Sequence, residues 1–304
     1  RDLRMSRGLG DVYKRQIYIF AAQNKHIVIF LHKIIIVYVY NKIIKGLKNM
    51  AKQAKIIAFA NHKGGVGKTT TTASMGSILA AKGYKVLLID LDAQANLTSS
   101  LLKGNVENTI YDGLKEQSSK SLIIYKVRED VKLDIIPADL NLAQADLELA
   151  GKMARERILS DLLEDYKEQY DYIFIDCPPS LGLLTLNALT ASDYAIIPLV
   201  AEVLPFNGLK MIFDFINKIK KVLNPRINIF GIVITRWEQT KLSKNIEEGL
   251  RTQLHEMVFS TKIRKNVTIA QAPLEAVNIV DYDKKSNGAI DYMSLVDEFL
   301  ERMK

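Results

Sequence analysis

The residues with the most evident chemistry form one run, Lys63-Gly64-Gly65-Val66-Gly67-Lys68-Thr69-Thr70, set between the apolar stretch Ile56-Ile57-Ala58-Phe59-Ala60 and a helical pattern beginning near Gly67. Glycines let backbone N–H groups surround phosphate oxygens, and the following helix N-terminus adds a favourable dipole. Within such a loop, Gly64, Gly65, Val66 and Gly67 face the phosphates. Lys68 bridges the β- and γ-phosphates, and Thr69 offers a hydroxyl to Mg²⁺. The run is shorter than the general template of Gly, four residues, then Gly-Lys-Ser/Thr, and it carries an additional lysine, Lys63, near its start. Two cations in one empty site repel each other, so Lys63 needs a triphosphate or a partner molecule to point at. A glycine-rich turn with solvated lysines has the same letters but lacks the strand, loop and helix context.

Three carboxylates fall where such a loop would use them. Asp90 and Asp92 occur in Asp90-Leu91-Asp92-Ala93-Gln94-Ala95-Asn96, and Asp176 in Ile175-Asp176-Cys177-Pro178-Pro179-Ser180. An acid closing an apolar strand beside a phosphate loop holds a Mg²⁺-bound water, the role assigned to Asp176. Asp92 suits the orientation of an attacking water. Asp90 closes its strand and is placed to contact the loop or the metal shell.

Positioning these groups requires strands that deliver them to one edge. Apolar runs at 56–60, 86–90, 133–137, 172–176, 195–199 and 229–234 read as buried strands, with a short further strand at 277–280. Helical patterns lie at 67–82, 141–150, 155–169, 182–191, 207–222, 243–257 and 288–302. This alternation predicts a three-layer α/β domain, a mostly parallel sheet with helices on both faces. In such sheets ligands bind at the carboxyl ends of the strands, where the three acids fall.

Charge divides the chain. Residues 1–49 hold ten basic and two acidic residues, which is the whole formal net charge of +8, and the remaining 255 residues are balanced at 32 of each. The basic balance is therefore no evidence for nucleic-acid binding. The expectation is a non-native or unstructured leader over 1–49 and a single domain over 50–304. Asp11-Val12-Tyr13-Lys14-Arg15-Gln16 back-translates to the end of a transposase sequencing adapter, the Ile/Lys/Tyr/Asn-rich stretch after it resembles read-through of AT-rich DNA, and Met50 reads as a native start. The run 17–40 is about as long as a membrane span. However, Lys25, His26, His32 and Lys33 interrupt it, at ~2.5–3.5 kcal/mol for each central charge. No small-residue cleavage pattern follows. A lone cysteine, Cys177, excludes a disulfide framework and points to a reducing, cytoplasmic setting.

Together the phosphate loop, the Asp90–Asn96 run and Phe174-Ile175-Asp176-Cys177-Pro178-Pro179 resemble the ParA/Soj partition ATPases, P-loop NTPases of the deviant Walker A group. The likeness extends through Asn266-Val267, Ala272-Pro273, Tyr282-Asp283 and Lys285-Ser286-Asn287-Gly288-Ala289. What this resemblance implies is an ATP- and Mg²⁺-dependent switch. ATP would draw two copies into a face-to-face homodimer in which Lys63 crosses to the partner's phosphates. That dimer would bind double-stranded DNA without sequence preference, and a ParB-like adaptor would stimulate slow hydrolysis, so that a plasmid or chromosome region moves over the nucleoid. Carried over, Lys63 is the signature lysine, Lys68 the P-loop lysine, Thr69 the Mg²⁺ ligand, Thr70 a phosphate contact, Asp92 the hydrolytic aspartate and Asp176 the Walker B acid.

Departures from the family pattern are local. Ala93 and Ala95 stand where the family usually has Pro and Gly. Gln239 and Thr268 stand where some relatives place arginines on DNA, with Lys241, Lys244, Arg251, Arg264 and Lys265 as nearby substitutes. The alternative is a MinD-like membrane-associated positioning ATPase, but the C-terminal segment opposes Asp297, Glu298 and Glu301 to Arg302 and Lys304, a poor match for an anionic membrane. An iron-protein-type ATPase would need four cluster thiolates, which one cysteine per subunit cannot supply.

Overall fold

A computed structural model describes residues 53–201 and 205–304. The expected leader over 1–49, with its apolar run at 17–40, lies outside the described residues. Apolar strands with both faces covered can assemble only as the middle layer of a sandwich, and the described chain builds one sheet of eight strands. They are β1 (Lys55–Phe59), β2 (Val86–Asp90), β3 (Tyr125–Lys126), β4 (Leu133–Ile136), β5 (Tyr172–Asp176), β6 (Tyr194–Val200), β7 (Asn228–Trp237) and β8 (Val258–Arg264). Their spatial order is β3-β4-β2-β5-β1-β6-β7-β8, with every pairing parallel except β3 with β4.

Alternate residues of each strand feed two separate cores, as the two-residue period requires. One face of β1 and β2 buries Ile57, Phe59, Val86 and Leu88 under α1 (Lys68–Ala81) and the long C-terminal helix, which contribute Met75, Leu79, Tyr292, Leu295 and Phe299. Here Phe59, Tyr172, Phe174, Phe230, Phe259 and Phe299 meet in edge-to-face and tilted pairs, with centroids 5.1–6.1 Å apart. The opposite face buries Ile56, Ala58, Leu87, Ile89, Ile173 and Ile175. It is covered by α3 (Ile110–Glu116), α4 (Ala145–Leu149), α5 (Ile158–Leu163), α6 (Leu183–Ala191), α7 (Pro205–Val222) and α8 (Lys241–Leu254), with α2 (Asn96–Leu101) following β2. The three-layer expectation is what the structure has.

Several element expectations change. Residues 277–280 are not a strand: they open α10 (Ile279–Tyr282), which follows α9 (Val267–Gln271) and precedes α11 (Asn287–Arg302). The Asn278 side chain accepts from the Val280 and Asp281 N–H groups, so a polar N-cap overrides the apolar letters after it. The helix expected at 155–169 is only Ile158–Leu163. The one expected at 141–150 is a 3₁₀ turn, Leu140–Gln144, running into α4. The pattern at 243–257 ends earlier, and β8 begins at Val258.

Candidate functional site

Register places the chemistry before any side chain is considered. Phe59 and Asp90 are both cross-strand partners of Asp176, so the ends of β1, β5 and β2 lie level and open on one edge. From the end of β1 the chain turns through residues 60–67 into α1. Gly65 and Gly67 take φ of 70° and 85°, left-handed conformations that a side chain would strain. No side chain caps α1 and no acid occupies its first turn, so its leading N–H groups are left to the loop. Lys68, 7% exposed, lies in the floor with Nζ 3.3 Å from the Lys63 carbonyl oxygen it donates to. Burial pulls its pKa down, opposed chiefly by the Asp176 charge. Lys63, Gly64 and Gly65 are exposed at the mouth, and Thr69 and Thr70 are half-buried.

The three acids have three different environments. Asp176 is fully buried with neither oxygen hydrogen-bonded. Burial, then the Asp90 charge, push its pKa well up, while the Thr69 hydroxyl and Lys68 oppose them. A buried carboxylate without donors needs a cation. Asp176 with the Thr69 hydroxyl makes an oxygen-only donor set of the kind Mg²⁺ takes, so the residues present fit that ion. Cys177 beside it is buried, and burial raises its thiol pKa further from reactivity.

Asp90 is also fully buried, but its oxygens are engaged. One accepts from the Asp92 N–H at 3.1 Å, the other from the Thr98 N–H at 2.9 Å and the Thr98 hydroxyl at 2.8 Å. These donors come from the segment that follows β2, and none belongs to the phosphate loop. Burial pushes its pKa up to about 6 against those three donors. Asp92 is half-buried, accepts from the Gln94 N–H at 3.0 Å and faces the cleft. Ala95, where the family usually has glycine, has φ 51°, the left-handed conformation a glycine would take without strain.

Asp92 and the phosphate loop line one cleft of ≈ 1080 Å³, while Asp90 and Asp176 are fully buried and do not reach its surface. Its phosphate end is Gly64, Gly65, Gly67, Lys68, Thr69 and Thr70, and it is also walled by Arg236 near the end of β7 and by Lys265, Asn266, Val267 and Pro273 from the segment after β8. Sequence reasoning missed that wall, and also Asn61, Thr98 and Thr235. Buried Asn61 donates to the Pro198 carbonyl at 2.8 Å and accepts from the Lys63 N–H at 3.1 Å. The available signal for Thr235 was a single hydroxyl following the apolar run 229–234.

A model described as an AAA domain matches residues 54–229, more than half of the chain. The sporulation initiation inhibitor protein Soj of Bacillus subtilis is 42% identical over 247 residues, which cover 80% of this chain and 97% of Soj. The chain belongs to the ParA/Soj family of partition ATPases. Solved structures agree. A plasmid partition protein of Borrelia burgdorferi bound to AMPPNP is 32% identical with a TM-score of 0.70, over 82% of this chain and all of that one. The cobyrinic acid a,c-diamide synthase of Mycobacterium smegmatis, with an ATP analog and magnesium, is also 32% identical at TM-score 0.70, over 82% and 96%.

The basic residues singled out as substitutes for the family's DNA-contacting arginines divide. Arg251 donates to Glu247 and to the Phe259 and Ser260 carbonyls. Arg264 forks onto Asp291, whose carboxylate also accepts the Arg264 backbone N–H. Both help to hold β8 in place, and their side chains remain 32% and 41% exposed. Lys265 pairs with Glu238 at 2.9 Å on the surface. Lys241 and Lys244 are exposed on the first turns of α8. Among the described residues no helix is long and apolar enough to cross a membrane.

Proposed function

We propose that this chain is an ATP-driven dimerisation switch for DNA partitioning, with ATP and Mg²⁺ as cofactors. The observation that carries the nucleotide reading is Asp176, a fully buried carboxylate with two unbonded oxygens at the level of the phosphate loop. Lys68 and the first N–H groups of α1 would bind the phosphates, Thr69 and Asp176 would hold Mg²⁺ (Asp176 through water), and Asp92 would orient the attacking water. Bound Mg²⁺ would supply positive charge against the β- and γ-phosphate oxygens.

Lys63 would serve a second copy rather than its own floor, where Lys68 already sits; its exposure at the mouth supports this reading. Repulsion between the two ammonium groups is relieved if Lys63 arrives at the partner's nucleotide only in the dimer. Exposed Lys241, Lys244 and Lys265, with the part-exposed Arg251 and Arg264, would supply the contacts for non-specific DNA binding, a ParB-like adaptor would accelerate turnover, and the protein would act in the cytoplasm on the nucleoid. The MinD-like alternative gains nothing from α11, whose apolar residues Tyr292, Leu295, Val296 and Phe299 are buried in the core rather than offered to a membrane.

Light scattering tests the switch. With ATP and Mg²⁺ the mass should double, and Lys63→Ala should stay monomeric while still binding nucleotide. Asp92→Ala should hold the ATP dimer without turnover. A Lys63→Ala chain that dimerises normally rejects the crossing lysine, and normal turnover in Asp92→Ala rejects it as the hydrolytic residue.

A further inference from the structure

The phosphate loop is held from outside, by the ends of the two strands beside it. Thr235, 2% exposed, is the register partner of Val200 and stands next to the loop, 169 residues from it in sequence. Its hydroxyl lies 2.7 Å from the Val66 carbonyl oxygen and 3.2 Å from that of Leu199. A hydroxyl has one proton, and the shorter contact has the better distance for it.

We infer that Thr235 is a positioning residue for nucleotide binding, its hydroxyl fixing the Val66–Gly67 peptide so that the Gly67 N–H is pre-aimed for a phosphate oxygen. The argument is one of planarity. In a trans peptide the carbonyl and the following N–H lie in one plane and point in opposite directions, so anchoring the Val66 oxygen orients the Gly67 N–H. Gly67 needs this restraint more than another residue would, because glycine at φ 85° has no side chain to limit its rotation. Its own carbonyl is already held, accepting from the Thr71 hydroxyl at 2.6 Å and the Thr71 N–H at 2.9 Å. Thr235 completes the hold from the other side, with its Cγ2 only 3.6 Å from where a Gly67 Cβ would stand. Asn61 ties the start of the loop to Pro198 in a parallel way. Donors fixed before the ligand arrives do not have to be ordered by it, and that is the source of the affinity.

The inference rests on the nucleotide reading above, and the test separates the two. Thr235→Val keeps the β-branched shape and removes the hydroxyl, and Thr235→Ser keeps the hydroxyl and removes the methyl. Each is compared with the wild-type chain for Mg²⁺-dependent binding of a fluorescent ATP analogue, for KM and kcat, and for the urea midpoint without nucleotide. The expected result for Thr235→Val is an affinity about tenfold weaker and a KM about tenfold higher, with kcat changed only ~2-fold and recovery to within ~3-fold in Thr235→Ser. Wild-type affinity in Thr235→Val overturns the inference, as does a Thr235→Ser chain as weak as the valine variant. A lowered urea midpoint with unchanged KM also overturns it, since that is a purely structural role. Should the valine chain not fold, Thr235→Ala is read by the same criteria. Failure of the wild-type chain to bind the analogue would reject the nucleotide reading itself.

Discussion

Asp90 and Asp176 are one strand apart, equally buried and chemically identical, yet their neighbours give them different tasks. Asp176 has no hydrogen-bond donors and is left for a cation, whereas Asp90 is saturated by Thr98 and the Asp92 N–H. Thr98 is the node of that arrangement, because its hydroxyl also accepts from the Ala138 N–H at 2.9 Å, tying the exits of β2 and β4 together. Thr98→Val is isosteric but leaves Ala138 N–H without its acceptor and Asp90 with one donor fewer. Unfolding in urea should show a loss of ~1–3 kcal/mol. Because the same loop carries Asp92, ATP turnover should fall more than ATP affinity; equal losses in both would show that the loop serves binding rather than hydrolysis. The acids themselves were legible in the sequence as strand-closing residues. Their division of labour was not, because it depends on a threonine eight residues downstream that folds back onto Asp90 and is itself held by the Ala138 N–H.

At the scale of elements, β8 shows where pattern reading stops. Val258-Phe259-Ser260-Thr261-Lys262-Ile263-Arg264 lacks the unbroken apolar run of the central strands because β8 is an edge strand, paired only with β7. Its surroundings hold it in place: Phe259 packs under Arg302 with 4.2 Å from guanidinium to ring, Glu298 accepts from the Ser260 and Thr261 N–H groups, and Asp291 grips Arg264. The β7–β8 contact depends on Gly231, where an added Cβ would lie 2.5 Å from the Phe259 ring and 3.2 Å from the Met257 carbonyl oxygen. A rigid ring and a backbone atom cannot both retreat, so Gly231→Ala should cost ~1–3 kcal/mol, measured as a lower urea midpoint at unchanged slope. A neutral result would mean that the edge strand can slide away from its neighbour. The 277–280 segment was misread for the reverse reason, its apolar letters being outweighed by a helix cap at Asn278.

For the whole molecule, the site is kept at a cost in stability, and pH makes that cost measurable. Burial raises the Asp90 pKa to about 6 and the Asp176 pKa well above its ordinary value. An acid whose folded-state pKa is raised adds stability below its unfolded pKa, near 4, and that contribution is lost as pH rises through the folded value. The nucleotide-free protein should therefore be less stable at pH 7 than near pH 5, and Asp176→Asn should remove much of the difference, raising Tm at pH 7 by a few degrees while abolishing turnover. Mg²⁺ with ATP should produce the same stabilisation in the wild-type chain and little in Asp176→Asn. A Tm that climbs steadily from pH 5 to 7 without nucleotide would contradict this account. DNA binding belongs to the same scale: it should weaken steeply with salt, and Lys241→Ala with Lys244→Ala should weaken it more than Arg251→Ala does.

What the amino acids dictated on their own was local and periodic. The glycine-rich loop, the apolar runs with both faces buried, the strand-closing acids and the three-layer α/β class all follow from backbone permissiveness and from where nonpolar residues recur. Only the folded chain decided which distant residues meet at that loop. Thr235 and Pro198 come to it because β6 and β7 lie on one side of β1, and the Asp90–Thr98 pair lies across β5 on the other. The same folding tied Arg251 to the β8 carbonyls and Arg264 to Asp291, and left Lys241 and Lys244 exposed without such partners among the described residues. Hydrogen-bond partnership and burial are properties of a three-dimensional neighbourhood, and no spacing along the chain encodes a contact 169 residues long.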